Sequence, residues 1–263
     1  MMKVRLWYPL LKREFCALCA HRTLLWGLLG ALGTGVAVSL LAETADERLW
    51  VLYQLFYYVL PMFAMLGSIM LVRQDLGESP FLALLPGSSC ARVVVKMMVS
   101  IVYVWILIAL LLLPSAFGED YAQFLLLGGG AGLVALVFVC LGIWRGFRSR
   151  TEVRAYLGGL VWWIVLLLGS GALGFCAHQW LRPEFTPAAT LVILMSNPLE
   201  SFRIFVFFGL SAVPMNPQTL NGVALWWMGH SMVWLALITL LFSFFLLLRA
   251  GWNLRLRAHS AES

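Results

Sequence analysis

Residues 121–144 read YAQFLLLGGGAGLVALVFVCLGIW, an apolar run without a single Asp, Glu, Lys or Arg, preceded by Glu119-Asp120 and followed by Arg145. A helical crossing needs about 20 apolar residues, and a charge at the bilayer centre costs about 2.5–3.5 kcal/mol even on the mildest insertion scale. The run is therefore read as a transmembrane helix, with acids at one mouth and arginine at the other. Working outward, five further charge-free stretches emerge: Thr23–Ala42, Leu49–Val72, Met97–Gly118, Ala155–Leu181 and Ile204–Leu248. The last is too long for one helix and is interrupted by Pro214, Asn216, Pro217 and Asn221. Its first part, Ile204–Val213, is read as a re-entrant or interfacial segment, because about ten residues cannot cross. The sixth span then runs from Gly222 to Leu248. The expected fold is all-α, with six transmembrane helices.

Composition agrees. Of 263 residues, 62% are hydrophobic and 11% charged, with a mean hydropathy of +0.91. Soluble domains carry about 25% charged residues. A soluble enzyme, a secreted disulfide scaffold and a disordered chain are excluded.

Cytoplasmic connectors carry the Lys/Arg excess, and the distribution is one-sided. Lys3, Arg5, Lys12, Arg13 and Arg22 precede the first span; Arg73, Arg92 and Lys96 lie between the second and third. Arg145, Arg148, Arg150 and Arg154 lie between the fourth and fifth, and Arg249, Arg255 and Arg257 follow the sixth. Only Arg48, Arg182 and Arg203 fall on the other side, beside Glu43, Asp46, Glu47, Glu119, Asp120, Glu184 and Glu200. Both termini are expected in the cytoplasm, in the plasma (bacterial inner) membrane. Residues 1–22 form an amphipathic cytoplasmic segment. The net charge of +6 reads as a topology signal, and no nucleic-acid partner is expected from basic residues scattered over separate loops. The first apolar run starts late and is span-length, so it is expected to remain as a helix rather than be cleaved.

The chemistry-bearing residues are sparse. Cys16 and Cys19 form a lone CxxC, and His21 follows one residue too late for haem attachment. One His with two Cys falls short of a closed zinc site. Met228, His230 and Met232 suit a soft metal by type, but His230 points away from the face shared by the two methionines. No metal site is assigned. The chain has no Gly-Lys dipeptide and hence no phosphate-cradling P-loop, and the charge-free spans offer no ionisable relay. Any energy for transport must come from another subunit. Gly27/Gly30/Gly33, Gly128–Gly130 with Gly132, Gly158/Gly159 and Gly169/Gly171/Gly174 mark helix-contact faces, and the Gly128/Gly132 GxxxG fits either a packing seam within one bundle or a dimer seam.

Two connectors carry more than a connector needs. In residues 73–92, Ser79 followed by Pro80 starts a helix by capping and by proline at the first helical position. Glu78 adds a favourable charge at that end, and Pro86-Gly87 stops the helix. Its apolar Phe81, Leu82, Leu84 and Leu85 must insert into something: the bilayer, the chain's own helices, or a cytoplasmic partner. In the external connector, residues 182–221, Asn197 can cap a helix with Pro198 at its first position, and Glu200 and Arg203 form an i,i+3 pair. That segment is either an amphipathic cap or part of a transport path.

The order Asp75-x-Gly77-Glu78, Leu82-x-x-Leu85-Pro86, then Arg92 and Lys96 at the next span, resembles the coupling-helix signature of type-2 ABC exporter permeases, although Asp75, Glu78 and Val95 depart from the common Glu, Thr and Gly. Asn197-Pro198-x-Glu200-x-Phe202-Arg203 resembles the segment before the last span in permeases of the transporter that matures the copper sites of nitrous oxide reductase. The resemblance spans the chain and implies one permease transmembrane domain, 1–263. It also implies a separate ABC ATPase subunit that binds ATP and Mg²⁺ and docks at residues 75–96, no cofactor in this chain, and pairing with a second copy or a related permease. The second and fifth helices would line the path, with Gln54 and Tyr57 as lining residues. The expected function is export of an unidentified substrate driven by the separate ATPase, rather than enzymatic catalysis. The alternative is a membrane scaffold or assembly factor that recruits a cytoplasmic partner without transport. A membrane-embedded enzyme would need clustered polar groups at one membrane face, and the sequence offers none.

Overall fold

The computed structural model describes residues 4–77, 89–115, 121–210 and 222–262. Every regular element among them is helical: α1 Val4–Ala20, α2 Arg22–Leu41, α3 Ala45–Gln54, α4 Leu60–Gly77, α5 Ser89–Leu112, α6 Tyr121–Arg148, α7 Glu152–Trp180, α8 Thr186–Ser196, α9 Pro198–Ile204 and α10 Gly222–Glu262. A π-helical turn, Leu55–Val59, joins α3 to α4, and another, Phe205–Gly209, extends α9. Six spans are long and apolar enough to cross: Arg22–Leu41, Ala45–Gln74, Ala91–Leu112, Tyr121–Arg148, Glu152–Trp180 and Leu225–Asn253. The chain is a multi-pass helical membrane protein.

The second span starts earlier than its charge-free stretch because of local capping. Thr44 Oγ1 accepts from Glu47 N (3.2 Å), and Glu47 Oε2 reaches back to Thr44 N (3.4 Å), a capping box that starts α3 at Ala45. The third span's helix also begins before its charge-free stretch, at Ser89, and carries Lys96 in its early turns.

Helix α6 is the centre of the bundle. Its spanning window is 67% buried, against 11% for α7 and 17% for α2. Close approach to α4 depends on Gly142 and Gly146, where a Cβ would strike Met65 O and Ser68 Cβ in the first case and Val72 Cβ at 2.8 Å in the second. These two glycines are a GxxxG of their own. The Gly128 and Gly132 pair faces Leu112 and Trp105 of α5, so it packs within this chain. Gly30, Gly33, Gly171 and Gly174 face open space, whereas at Gly35, absent from the expected contact faces, a Cβ would meet the Leu110 and Leu111 carbonyls at 2.7 and 2.8 Å.

Between the fifth and sixth spans, Thr186–Ser196 and Pro198–Gly209 form a pair bent by 101°. The sequence dictates the bend. Pro198 disfavours the helical region for the residue before it, and Asn197 accordingly adopts φ −98°, ψ 120°. Its Oδ1 then accepts from Leu199 N at 3.0 Å, and its Nδ2 donates to the Leu166 carbonyl of α7 at 2.6 Å. The expected re-entrant segment, Ile204–Val213, is thus only the far end of a longer broken element; its residues from 211 onward lie outside the described residues. Its first arm, α8, is formed by the apolar run Thr186–Ser196 of the external connector, in which a helix is expected only from Asn197 onward.

Candidate functional site

Two polar clusters lie inside this apolar bundle, one near the Gln74 end of the second span and one near its middle. The first joins α1, α4 and α5. Lys96 is 2% exposed; its Nζ donates to Glu14 Oε2 of α1 in a buried ion pair and to the Leu71 carbonyl of α4 at 2.8 Å. The amphipathic α1 is thereby fastened beneath both helices that flank residues 78–88. Arg73 secures the same end of α4 to the turn between α6 and α7, donating to Ser149 O at 3.1 Å and Arg150 O at 3.4 Å.

Of the residues expected to dock an ATPase, Lys96 is therefore inside and cannot present its charge to another subunit directly. Asp75 and Gly77 lie in the last turns of α4, and Arg92, half-buried, lies in the first turn of α5. Glu78, Leu82, Leu85 and Pro86 lie outside the described residues. Sequence reasoning missed Glu14, although one signal was available: it is the only acid in the basic segment before the first span.

The second cluster is built on the bent pair. Glu200 is 4% exposed. Its Oε1 accepts from Ser170 Oγ of α7 at 2.8 Å and from Tyr57 OH in the first π turn at 3.4 Å, and its Oε2 lies 2.7 Å from Arg203 Nη2. π turns insert an extra residue into a helix and recur at functional sites; this one places Tyr57 toward Glu200. Rings surround the carboxylate: Tyr53 lies 5.7 Å from Tyr57, 6.0 Å from Phe202 and 6.2 Å from Phe207, and Trp50 lies 5.6 Å from Phe207. A cavity of about 220 Å³ adjoins them, lined by Asp46, Trp50, Tyr53, Gln123 and Val206 among others. The structure thus brings together Asn197, Pro198, Glu200, Arg203 and Tyr57, but leaves Gln54 exposed and outside the cluster.

Among the described residues no three His, Cys, Asp or Glu side chains gather as metal ligands. His230 lies flat on Trp226, rings 5.2 Å apart, with Nδ1 3.0 Å from the Trp226 carbonyl. Cys16 and Cys19 are exposed free thiols.

Chemically, the clusters offer a sealed ion pair in one and a hydrogen-bonded carboxylate with an accessible cation in the other. No family model matches the chain, and no curated protein matches it either.

Proposed function

We propose that the chain is the transmembrane subunit of an ATP-driven exporter of the type-2 ABC class, with both termini and residues 78–88 in the cytoplasm of a bacterial inner membrane. A separate ATPase would bind ATP and Mg²⁺, and a second copy or a related permease would complete the path. The observation that carries this reading is that one continuous span touches both clusters. Leu71 receives Lys96 near one end, and Tyr57, near the middle, donates to Glu200, roughly 20 Å away at 1.5 Å per residue.

A push on the docking connector would reach α4 through Leu71 and α1 through Glu14. Rigid tilting of α3–α4 would then shift Tyr57 against Glu200 and so the bent pair. The second and fifth spans, which the resemblance makes the path-lining helices, meet here through Tyr57 and Ser170 on one carboxylate. The substrate is unidentified.

The test is affinity capture of the tagged full-length chain from its native membranes, with bound ATPase activity as the readout. Leu82→Asp is expected to abolish the captured activity while the purified chain keeps its elution profile and thermal transition. Capture that survives Leu82→Asp, or that is indifferent to nucleotide, overturns the proposal in favour of a scaffold.

A further inference from the structure

At the end of α6 that carries Arg148, an elongated cavity of about 270 Å³ opens between α6, α7 and α10, walled by Leu141, Trp144, Trp162, Leu166, Phe242 and Leu246 and bordered by Arg148 and Arg249. Both helices present the same order at helical spacing: Leu141, Trp144, Arg148 on one and Phe242, Phe245, Arg249 on the other. In each case the ring holds the guanidinium, with Arg148 Cζ 5.2 Å from the Trp144 ring and Arg249 Cζ 5.2 Å from the Phe245 ring. No acidic side chain lines the cavity among the described residues.

The lining pairs an apolar wall with two guanidinium groups, so a ligand that fills the cavity must offer a long apolar body and an anion. Arginine matches phosphate oxygens two at a time, and basic pockets between spans receive acidic headgroups.

We propose that this groove binds one anionic phospholipid. Its phosphate would bridge Arg148 and Arg249, and an acyl chain would lie along Leu141, Trp144, Leu166 and Leu246. The site is separate from both polar clusters and does not depend on the chain being an exporter.

Native mass spectrometry of the full-length chain, titrated in mild detergent with phosphatidylglycerol or phosphatidylcholine, tests it. The wild type is expected to retain one phosphatidylglycerol in preference to phosphatidylcholine. Arg148→Gln with Arg249→Gln should weaken that preference about tenfold or more, on the basis of about 1 kcal/mol per basic residue near an anionic headgroup. Arg150→Gln with Arg154→Gln, which removes equal charge just beyond Arg148 but outside the groove, should leave it nearly intact. Equal loss in both double variants would reduce the effect to general attraction and overturn the proposal. So would displacement of the lipid by millimolar inorganic phosphate, or a groove that binds no lipid because a second copy of the chain covers it.

Discussion

The Glu14–Lys96 pair and the Glu200–Arg203 pair are both ion pairs in a chain with little charge, yet they are built differently. At the first, both side chains are inside, 5% and 2% exposed, and a backbone carbonyl takes a further donor from Lys96. At the second, the carboxylate is buried but Arg203 is 44% exposed, and two hydroxyls share the carboxylate. The first is a closed fastening between α1 and the bundle. The second is a buried acceptor whose cationic partner remains within reach of solvent. An apolar bundle can therefore hold charge either by sealing a pair completely or by hydrogen-bonding one member and leaving the other at the surface. The first carboxylate also has Arg13 3.9 Å from Oε1, but its close cation is enclosed, whereas the second keeps its cation at the surface, which places adjustability at the bent-pair end and rigidity at the α1 end.

The largest expected effect tests the sealed side. Lys96→Met strips the buried Glu14 of its close cation, leaving Arg13 at 3.9 Å, and should destabilise the folded chain by up to about 3–5 kcal/mol, read from unfolding in mild detergent. Adding Glu14→Leu removes the stranded charge and should restore most of the loss, since buried pairs are often replaceable by apolar residues of similar volume. If the single variant unfolds no more easily than the double, water already reaches Glu14 and the two ends are alike.

The sequence made the spans legible because exclusion of charge from hydrocarbon acts on single residues and needs no knowledge of neighbours. The same criterion concealed Lys96. A rule that ends a span at the first charge cannot anticipate that Glu14, eighty-two positions earlier, neutralises it. The Asn197-Pro198 break was readable for the opposite reason: proline's restriction is local, and the structure places the 101° bend at that point. What the local pattern did not reveal was the destination of Glu200. Its i,i+3 neighbour Arg203 was visible in the sequence, but Tyr57 and Ser170 arrive from other spans. Helix α8 was overlooked although Thr186-Pro187 and the apolar run after it carry a helix start and an uninterrupted apolar stretch. Gly142 and Gly146 were passed over because their importance is decided by the Met65 carbonyl and the Val72 side chain facing them, not by the GxxxG spacing that Gly128 and Gly132 share with them.

A middle-sized effect is expected at the acceptor of the open cluster. Glu200→Ala strips Ser170 and Tyr57 of their shared acceptor and should cost about 1–3 kcal/mol. Glu200→Gln keeps a carbonyl oxygen in that position and should lose less than half as much. A Gln variant as damaged as the Ala variant would mean that the negative charge, rather than the hydrogen bonds, holds the bent pair against α3 and α7. The contrast with the Lys96 end would then narrow sharply.

Removing Arg203 should have the smallest effect of the series, despite its close approach to a buried carboxylate. The side chain is 44% exposed, and exposed ion pairs contribute about 0–1 kcal/mol once screening and side-chain ordering are counted. Truncation in Arg203→Ala also clears the solvent-facing side of Glu200, so water can take the place of the guanidinium at Oε2 while Ser170 and Tyr57 continue to hold Oε1. The loss should shrink further between 50 mM and 500 mM salt, because screening weakens an exposed pair and leaves a sealed one nearly unchanged. Lys96→Met should show no comparable salt dependence. If Arg203→Ala destabilises the chain as much as Lys96→Met, independently of salt, then exposure of the arginine does not hydrate its partner. Both pairs would then be sealed fastenings, and adjustability at the bent-pair end would have to come from the π turn at Leu55–Val59 instead.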